Sequence, residues 1–457
     1  MKLVLLSGGS GKRLWPLSND SRSKQFLKVL RNADGGMESM VQRVWTQLRS
    51  ADLVRDAYIA TGKGQVDTLQ SQLGADVPLI VEPARRDTFP AIALAATYLY
   101  SIKGVSLNEV VTILPVDPYV DDRFFTHMRQ LAGLIQSAGA EIALMGVRPT
   151  CPSDKYGYIV PQRETAADGQ PYSIVSHFME KPREDIAKQL LKQQALWNCG
   201  VFAFKLDYLI NLLIGKGLPI QYEEMLKRYD TLPAISFDYE VLEKAGSIVV
   251  LPYDGEWKDL GTWNTLTEEI PVNIIGNGTV SADSLNTHVI NELDIPAAVL
   301  GLSNIIVSIS PDGILVAEKN ASPQVKELIK NIDQRPMYEE RRWGSYRVLD
   351  YKKLPNGKEV LTKTIFIAAG KNLSYQLHHK RSEVWTVISG EGEVVLNDRL
   401  FKVTAGDVLK IDVGARHSIR ASEDLEIIEV QTGSELVEED IVRLCMSWDE
   451  IAELAIV

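Results

Sequence analysis

The sequence predicts an α/β protein that begins with a mostly parallel sheet and ends in an all-β domain. Three observations lead to this prediction. Over residues 1–265, short apolar runs alternate with helical stretches, as in sheets that are covered by helices on both faces. Residues 270–335 contain short β-type pieces between turn residues. From residue 340, evenly spaced β-branched runs without helices indicate a small antiparallel barrel or jelly roll.

The individual elements follow from these patterns. In the first part, we expect strands at residues 3–6, 57–60, 79–81, 110–114, 142–147 and 248–251, and helices at 38–49, 90–101, 122–138 and 184–194. In the middle part, we expect strands at 277–280, 288–290, 297–300, 305–308 and 313–317, and a helix at 322–332. In the last part, we expect strands at 360–368, 383–389, 393–396, 407–411, 417–421 and 425–432, and a final helix at 438–444.

The composition is that of an ordinary globular chain and argues against several classes of protein. The 457 residues are enough for two or three domains. The net charge of −11 argues against a nucleic-acid surface, and no apolar run is long enough to cross a bilayer, so we expect neither nucleic acid nor a membrane as partner. Cys151, Cys199 and Cys445 lie far apart and form no metal spacing. They indicate no disulfide framework, and we expect a reducing cytoplasm.

A glycine-rich turn follows the first predicted strand. Glycines allow close approach of a backbone to a ligand, and exposed N–H groups in such a turn form an anion-binding nest. Lys24 and the two cations at the end of the turn would neutralise a polyphosphate. The candidate nucleotide-binding residues of the turn are Gly8, Gly9, Ser10, Gly11, Lys12 and Arg13. Neither the P-loop spacing nor G-x-G-x-x-G is present, so the glycines alone are equally compatible with an ordinary strand-to-helix turn.

The residues after the turn read R-L-W-P-L (13–17) and K-Q-F-L (24–27). With them, the sequence resembles the sugar-phosphate nucleotidyltransferases, and most closely the mannose-1-phosphate guanylyltransferases, although Lys12 replaces the threonine of that family. Further matching segments come in the same order over roughly 260 residues. They read E-P-A-R-R-D-T (82–88), L-P-V-D (114–117), Y-G-Y-I (156–159), M-E-K-P (179–182), W-N-C-G-V-F (197–202) and W-K-D-L-G-T-W (257–263).

The resemblance implies roles for residues in these segments. Asp117 and Asp259 would hold Mg²⁺, and Arg13, Lys24 and Lys181 would act on the phosphates as catalytic residues. The residues that would face the base and ribose are Glu82, Arg86 and Thr88. The residues that would bind the sugar phosphate are Gly157, Glu180, Lys181 and Asn198. Departures from the family pattern occur at Asp87, Phe89, Pro118 and Cys199.

The proposed reaction needs these residue types. A sugar 1-phosphate oxygen attacks the α-phosphate of a nucleoside triphosphate, so two anions must be neutralised and fixed in place. Carboxylate oxygens are suited to Mg²⁺, which would polarise the α-phosphate. Each residue also has a simpler interpretation: Asp117 could start a turn, Asp259 could cap a helix, and Lys181 could be a solvated loop lysine.

Histidines are concentrated near the carboxyl-terminal end. The spacing that runs from Gly370 to Gly390 and from Gly406 to His417 resembles the two motifs of the cupin family. The resemblance implies a metal site, and two imidazoles, a carboxylate and an amide oxygen suit zinc or another divalent metal. Its expected ligands are Gln376, His378, Glu383 and His417. In bifunctional relatives such a cupin interconverts mannose 6-phosphate and fructose 6-phosphate, and Arg381 is carried over as a phosphate or acid–base partner. The alternative is an empty barrel that serves packing or dimerisation.

Together, the resemblances imply a Rossmann-like nucleotidyltransferase domain at residues 1–268, a β-helix-like module at 269–336 and a cupin domain at 337–457. The implied enzyme makes GDP-mannose and pyrophosphate from GTP and mannose 1-phosphate with Mg²⁺, carries isomerase activity in its cupin, and forms a homo-oligomer, a dimer. Two alternatives stay open: a nucleotidyltransferase for another base or hexose 1-phosphate, and a sugar-nucleotide-binding protein without turnover.

Overall fold

A computed structural model describes residues 1–9, 11–19, 21–162, 171–332 and 334–455. The chain forms two compact units. The first consists of Met1–Leu14, Ser23–Val66 and Asp76–Pro271, and the second of Trp15–Arg22, Asp67–Ala75 and Val272–Val457. Within the described ranges, every helix is too short or too polar to traverse a lipid bilayer. The three domain boundaries expected from the sequence stay predictions.

A mixed sheet forms the centre of the first unit. Its described strands follow the order Leu79–Glu82, Ala57–Gly62, Lys2–Ser7, Val110–Pro115, Leu196–Lys205, Ile142–Val147, Ile248–Tyr253, Ser173–Met179 and Tyr158–Pro161. The first four strands are mutually parallel, and Ile142–Val147 is parallel to Ile248–Tyr253. Leu196–Lys205 is antiparallel to both of its long neighbours. The predicted strands are therefore present, and the antiparallel ones are those that the sequence analysis left unassigned.

Helices cover this sheet, and their sequences explain their positions. They are Met40–Ser50, Thr88–Thr97, Arg123–Ser137, Glu184–Lys192, Leu206–Gly215, Tyr222–Arg228, Phe237–Glu240 and Trp263–Glu269. Ser39 and Gln42 form a reciprocal capping box that fixes the start of Met40–Ser50. Apolar residues around its whole circumference make Thr88–Thr97 a buried helix in the main core.

The second unit begins with stacked short strands. They are Ile274–Gly276, Gly278–Val280, His288–Asn291, Ala297–Val299, Ile305–Ser310 and Gly313–Glu318. Parallel pairing between successive turns of chain gives the β-helix-like arrangement that was expected. The helix predicted at 322–332 is wrong in extent, because the structure has a 3₁₀ segment Lys319–Gln324 and a short helix Val325–Leu328. Pro323 lacks a backbone N–H, and the α-helical segment begins only after it.

Two antiparallel sheets form the barrel that ends the chain. One contains Tyr338–Arg341, Gly344–Lys353, Glu359–Ile367, Leu425–Gly433, Arg381–Ser389 and Val408–Ile411, and the other Arg399–Thr404, Glu391–Leu396, His417–Ala421, Tyr375–His378 and Ile441–Cys445. The helix predicted at 438–444 is wrong: a 3₁₀ turn Glu438–Asp440 leads into the strand Ile441–Cys445, which pairs with Tyr375–His378. A helix that the sequence analysis missed follows at Trp448–Leu454.

Candidate functional sites

The glycine-rich turn lies directly after the strand Lys2–Ser7. Gly8 and Gly9 are exposed, and a Cβ atom at either position would meet none of the described residues beyond its chain neighbours within 4 Å, so the backbone there is open to a ligand. Gly9 has φ +123°, a conformation that side chains disfavour. Arg13 is exposed and belongs to the 3₁₀ turn Lys12–Leu14. Ser10 lies outside the described residues.

A network of buried hydroxyl and amide groups supports this turn. Gln65 Nε2 donates to Ser23 Oγ at 2.8 Å, and Ser23 Oγ donates to the Gly9 carbonyl at 3.1 Å. On its other side, Gln65 Oε1 accepts from Ser7 Oγ at 3.3 Å and from Thr61 Oγ1 at 3.1 Å. These side chains are almost fully buried. The network therefore fixes the peptide of Gly9 relative to the sheet and to the residue before Lys24. Sequence reasoning missed Ser23 and Gln65 because isolated polar residues give no pattern.

Asp117 and Asp259 meet at the ammonium group of Lys24. Lys24 Nζ lies 2.7 Å from Asp117 Oδ2 and 3.2 Å from Asp259 Oδ1. A two-stranded ribbon brings the carboxylates together: Pro118–Val120 pairs with Trp257–Asp259, and Asp259 lies opposite Pro118. Three of the residues that the sequence singled out are thus assembled from distant parts of the chain.

Opposite charges in close contact shift the pKa values of Lys24 and Asp259. Burial alone would lower the pKa of Lys24, but the carboxylates of Asp117 and Asp259 outweigh it and raise that pKa well above its usual value. Burial would likewise raise the pKa of Asp259, but Lys24 and then Arg13 hold it below the usual value. Gly261 lies against the pair: a Cβ there would be 2.9 Å from Asp259 Oδ1 and 3.3 Å from Lys24 Nζ.

The donor set fits a hard divalent cation. Two carboxylates that already share one positive group offer the oxygen ligands that Mg²⁺ prefers. Neither carboxylate is fully enclosed, with side-chain exposures of 25% for Asp117 and 33% for Asp259, so a cation and a phosphate can approach.

The residues expected to bind sugar phosphate also come together. A Cβ at Gly157 would lie 2.4 Å from Glu180 Oε2 and 3.4 Å from Asn198 Cβ, so only glycine fits there. Lys181 Nζ is 2.7 Å from Glu180 Oε1, whereas Glu180 Oε2 is buried without a hydrogen-bond partner among the described residues. The backbone of Lys181 has φ +44°, in the left-handed region. An unpartnered buried carboxylate oxygen is able to accept a hydrogen bond from a ligand hydroxyl.

Asp238 joins this cluster, although it had no assigned role. Asn198 Nδ2 donates to Asp238 Oδ1 at 2.8 Å, and Asn198 Oδ1 accepts from the N–H of Gly200 at 3.0 Å. Burial, and then the nearby charge of Glu180, raise the pKa of Asp238 to about 7. The sequence alone does not show that Asp238 is buried beside a second carboxylate.

The residues expected to face the base and ribose pack against residues 229–237. Tyr229 donates to Glu82 Oε2 at 2.5 Å in a buried pair, and burial raises the pKa of both groups. Arg86 donates to the backbone carbonyls of Asp230 and Leu232, the latter at 3.2 Å. Thr88 Oγ1 accepts from the N–H of Phe237 at 2.8 Å. These contacts tie the three residues to one neighbouring segment, and nucleotide contact stays a prediction.

A second cluster lies at one end of the barrel interior. His378 Nε2 is 3.2 Å from Glu383 Oε1, and His417 Nε2 is 3.5 Å from Glu383 Oε2. One ligand atom from each of these residues lies within 4.8 Å of the others, and none of the three is more than 2% exposed. Along the strand Arg381–Ser389, Arg381 and Glu383 face inward at this polar end, and Trp385 leads into the apolar core.

The hydrogen bonds of the imidazoles suit metal ligation. His417 Nδ1 is 2.9 Å from the Ala415 carbonyl, and His378 Nδ1 is 3.4 Å from the Asp440 carbonyl. A proton on each Nδ1 places the lone pair of each Nε2 on the side of Glu383, where Arg381 Nη2 lies 3.4 Å from His378 Nε2. His417 Nε2 is buried without a hydrogen-bond partner among the described residues. The three donors therefore fit a divalent transition metal. Gln376 Oε1 accepts from Ser374 Oγ at 2.7 Å, so its ligation stays a prediction.

Further polar groups surround these three donors. Arg381 Nε donates to Glu383 Oε1 at 3.0 Å. Gln431 Nε2 donates to Glu383 Oε1 at 3.2 Å and to Glu429 Oε2 at 2.8 Å. Burial, together with the charge of Glu383, raises the pKa of Glu429 to about 8. Burial would raise the pKa of Glu383 as well, but a hydrogen bond with His378, and then electrostatic interactions with His417, His378 and Arg381, hold it well below the usual value.

Comparison with known proteins finds a family match for each of the two parts of the chain. Residues 2–272 match the family described as nucleotidyl transferase, and residues 331–445 match mannose-6-phosphate isomerase C-terminal. The chain is 32% identical to the xanthan biosynthesis protein XanB of Xanthomonas campestris pv. campestris (strain B100), over 96% of this chain and 97% of that protein. It is 31% identical to the alginate biosynthesis protein AlgA of Pseudomonas aeruginosa (PAO1), over 99% and 98%.

Two other comparisons are with proteins whose names give an enzyme activity. The chain is 29% identical to a protein of Vibrio cholerae named putative mannose-1-phosphate guanylyltransferase, over 96% of this chain and 98% of that protein. A crystal structure from Thermus thermophilus, described as mannose-1-phosphate geranyltransferase, is 27% identical with a TM-score of 0.60, over 72% of this chain and 98% of that one. The chain therefore belongs to the nucleotidyl transferase family, in the group of mannose-1-phosphate guanylyltransferase homologues that carry a carboxyl-terminal mannose-6-phosphate isomerase domain.

Proposed function

We propose that the first unit makes GDP-mannose and pyrophosphate from GTP and mannose 1-phosphate. The observation that carries this proposal is the convergence of Asp117 and Asp259 on Lys24 Nζ, at 2.7 and 3.2 Å. Ser23, the residue before Lys24, donates to the carbonyl of Gly9, so this group adjoins the open glycine turn. The names of the relatives support GTP and mannose 1-phosphate as the substrates.

In the proposed reaction, a phosphate oxygen of mannose 1-phosphate forms a bond to the α-phosphorus of GTP, and the bond from that phosphorus to pyrophosphate breaks. Lys24 and Arg13 offset the negative charge, and the backbone of the exposed Gly8 and Gly9 would bind phosphate oxygens. Mg²⁺, held by Asp117 and Asp259, would supply further charge neutralisation at the α-phosphate. No side chain needs to act as a base, because the attacking phosphate is already anionic.

The sugar end of the substrate is assigned to the Gly157 cluster. Glu180 Oε2, which is buried and unpartnered among the described residues, would accept from a sugar hydroxyl, and Gly157 leaves room for the ring. Lys181 would turn from Glu180 towards the sugar phosphate, since an anion competes for the same ammonium group.

The test is pyrophosphate release, scanned over four nucleoside triphosphates and several hexose 1-phosphates. We expect release with GTP and mannose 1-phosphate, and a loss of about 100-fold or more in Lys24→Ala, since charge stabilisation at a reacting phosphate typically has this size. Lys258→Ala is the matched control, because Lys258 lies on the same ribbon but pairs with Glu256 and Glu269. Pyrophosphate release with another base would show that GTP is not the substrate. No release with any combination of nucleoside triphosphate and hexose 1-phosphate would favour a binding protein without turnover.

We propose a second activity for the barrel, the interconversion of mannose 6-phosphate and fructose 6-phosphate. The specific observation that favours it is the buried His378–Glu383–His417 cluster, in which His417 Nε2 has no hydrogen-bond partner among the described residues. Zinc or another divalent metal on these residues would polarise the sugar oxygens. Arg381, fixed by Glu383, is positioned to bind an anionic oxygen of the sugar.

Metal content and fructose 6-phosphate formation test this second activity. We expect His417→Ala to lose the bound metal and the isomerase activity. His379→Ala is the matched control, since His379 follows His378 directly but is exposed and outside the cluster. Unchanged metal content in His417→Ala would contradict the ligand set. The metal content of Gln376→Leu decides whether the Gln376 amide belongs to the ligand set.

The remaining parts of the proposal concern assembly and compartment. All three cysteines are free thiols, which supports a reducing cytoplasm. We propose a homodimer, which sedimentation of the full chain would test.

A further inference from the structure

A short segment crosses the polar end of the barrel and is tied to the histidine cluster at both of its ends. Arg381 Nη1 donates to the Val437 carbonyl at 3.0 Å. Three residues further on, the Asp440 carboxylate accepts from the N–H groups of His379 and Lys380, at 3.0 and 3.1 Å. Residues 437–440 are therefore held over the site, and Glu438 lies between the two attachment points.

The side chain of Glu438 points into a cluster of cations. Its Oε2 lies 3.7 Å from Arg341 Nη2 and 3.9 Å from Arg443 Nη2. Lys363, almost fully buried on the neighbouring strand Glu359–Ile367, holds its ammonium group 4.5 Å from the ring centroid of Tyr346. We refer to Arg341, Lys363 and Arg443 as the cation cluster.

The contacts of Glu438 are electrostatic rather than close hydrogen bonds. Both distances exceed the hydrogen-bond range, and the side chain is 49% exposed. Burial would raise the pKa of Glu438, but Lys363, Arg341, Arg381 and Arg443 outweigh it and hold that pKa below the usual value. Arg341 is fixed independently by Asp67, at 3.2 Å, and by Glu339, so the position of this guanidinium group does not depend on Glu438.

We propose that Glu438 holds the place of a phosphate group in the cation cluster, and that a phosphorylated ligand binds the barrel by displacing its carboxylate. A phosphate carries more negative charge than a carboxylate and presents three acceptor oxygens, so it gains more from two guanidinium groups and an ammonium group. A half-exposed side chain on a 3₁₀ turn is able to leave towards solvent without unfolding the barrel. The proposal deepens the isomerase proposal, on which it rests for the sugar part of the ligand.

Binding of inorganic phosphate to the full chain, measured by calorimetry, tests displacement. Removing a tethered competitor strengthens binding of the ligand that it excludes, so we expect Glu438→Ala to bind phosphate roughly 5- to 10-fold more tightly than wild type. Glu438→Gln, which keeps the shape of the side chain, is expected to act in the same direction. Adding Arg443→Ala to Glu438→Ala is expected to abolish the gain in phosphate affinity. That result would assign the tighter binding to the cation cluster rather than to the nucleotide site.

Glu435→Ala is the matched control. It removes the same charge two residues before this segment, where Glu435 pairs with Lys380 at the surface. The proposal is overturned if both Glu438 variants bind phosphate no more tightly than wild type, or if Glu435→Ala gives an equal gain. Assays with mannose 6-phosphate separate the displacement proposal from the isomerase proposal. If the Glu438 variants bind phosphate more tightly but the protein does not isomerise the sugar, only the isomerase proposal is contradicted. Isomerisation without any gain in phosphate affinity overturns displacement alone.

Discussion

Asp117 and Asp259 approach one another through a shared cation, the ammonium of Lys24, at 2.7 and 3.2 Å. Without that charge, two neighbouring carboxylates would repel, and one of them would take up a proton more readily. The lysine thus offsets this repulsion, and it holds the pKa of Asp259 below its usual value although burial would raise it. A divalent cation entering this group would meet two charged oxygen ligands already oriented by the ribbon between Pro118–Val120 and Trp257–Asp259.

Gly261→Ala tests how closely this geometry is set. The new Cβ would lie 2.9 Å from Asp259 Oδ1, so the carboxylate or the backbone must move. Displacements of this size at reacting groups cost up to about 100-fold in rate. We expect pyrophosphate release to fall at least about 10-fold while the free energy of unfolding changes by less than about 1 kcal/mol.

Gly246→Ala is the control for the glycine substitution. A Cβ there would meet its nearest neighbour, Glu141 Oε2, only at 3.8 Å, and neither glycine has a positive φ. Activity of Gly246→Ala should stay within about twofold of wild type, as for a surface substitution without new contacts. Equal activity in the two variants would show that the position of Asp259 does not limit the reaction.

Ser23→Ala tests whether the buried polar network positions the glycine turn. It removes the hydrogen bond from Ser23 Oγ to the Gly9 carbonyl and one partner of Gln65. We expect a loss of about 1 kcal/mol in stability and a several-fold higher KM for GTP, with a smaller change in kcat.

Ser322→Ala separates positioning from stability. Ser322 is equally buried and donates to the Lys319 carbonyl at 2.7 Å, in a segment of the second unit. This variant should lose similar stability with an unchanged KM for GTP. If both variants leave KM unchanged, the network has a structural role only.

The sequence indicated candidate site residues, but it did not indicate how they meet. Apolar runs revealed the strand Lys2–Ser7, and the family resemblance singled out Asp117 and Asp259. The three-residue strands that join the aspartates are too short to show a pattern. At residues 438–444, apolar and charged residues suited a helix as well as a strand, and pairing with Tyr375–His378 decided between them.

Gln431→Leu tests the groups around the metal cluster. Its amide donates to Glu383 and Glu429, so the substitution removes a hydrogen bond that orients Glu383. Partners of metal ligands typically contribute about 10- to 100-fold to affinity. We expect zinc affinity, measured by competition with a chelator, to fall by about that factor. Thr432→Val, on the outward side of the same strand, should retain the wild-type affinity, and an equal loss in both variants would contradict a specific role.

Asp238→Asn tests the titration predicted for the sugar cluster. Burial, and then Glu180, raise the pKa of Asp238 to about 7, so the folded protein binds this proton more tightly than the unfolded chain does. Folding is therefore favoured below about pH 4, and this contribution is lost as the pH rises towards 7. Asparagine keeps the shape and its oxygen still accepts from Asn198. We expect the variant to gain about 1–3 kcal/mol over wild type between about pH 5 and pH 8.

Urea unfolding at about pH 5 and about pH 8 measures the free energy of unfolding of Asp238→Asn relative to wild type, with Asp185→Asn as the control. Asp185 is exposed and pairs with Arg183 on the surface, so its replacement should leave the pH profile of stability as it is in wild type. A relative stability of Asp238→Asn that does not change between these two pH values would mean that the carboxylate is already ionised at the lower one. Glu180 and Asp238 would then both face a bound sugar as anions, and Lys181 would have to neutralise the pair.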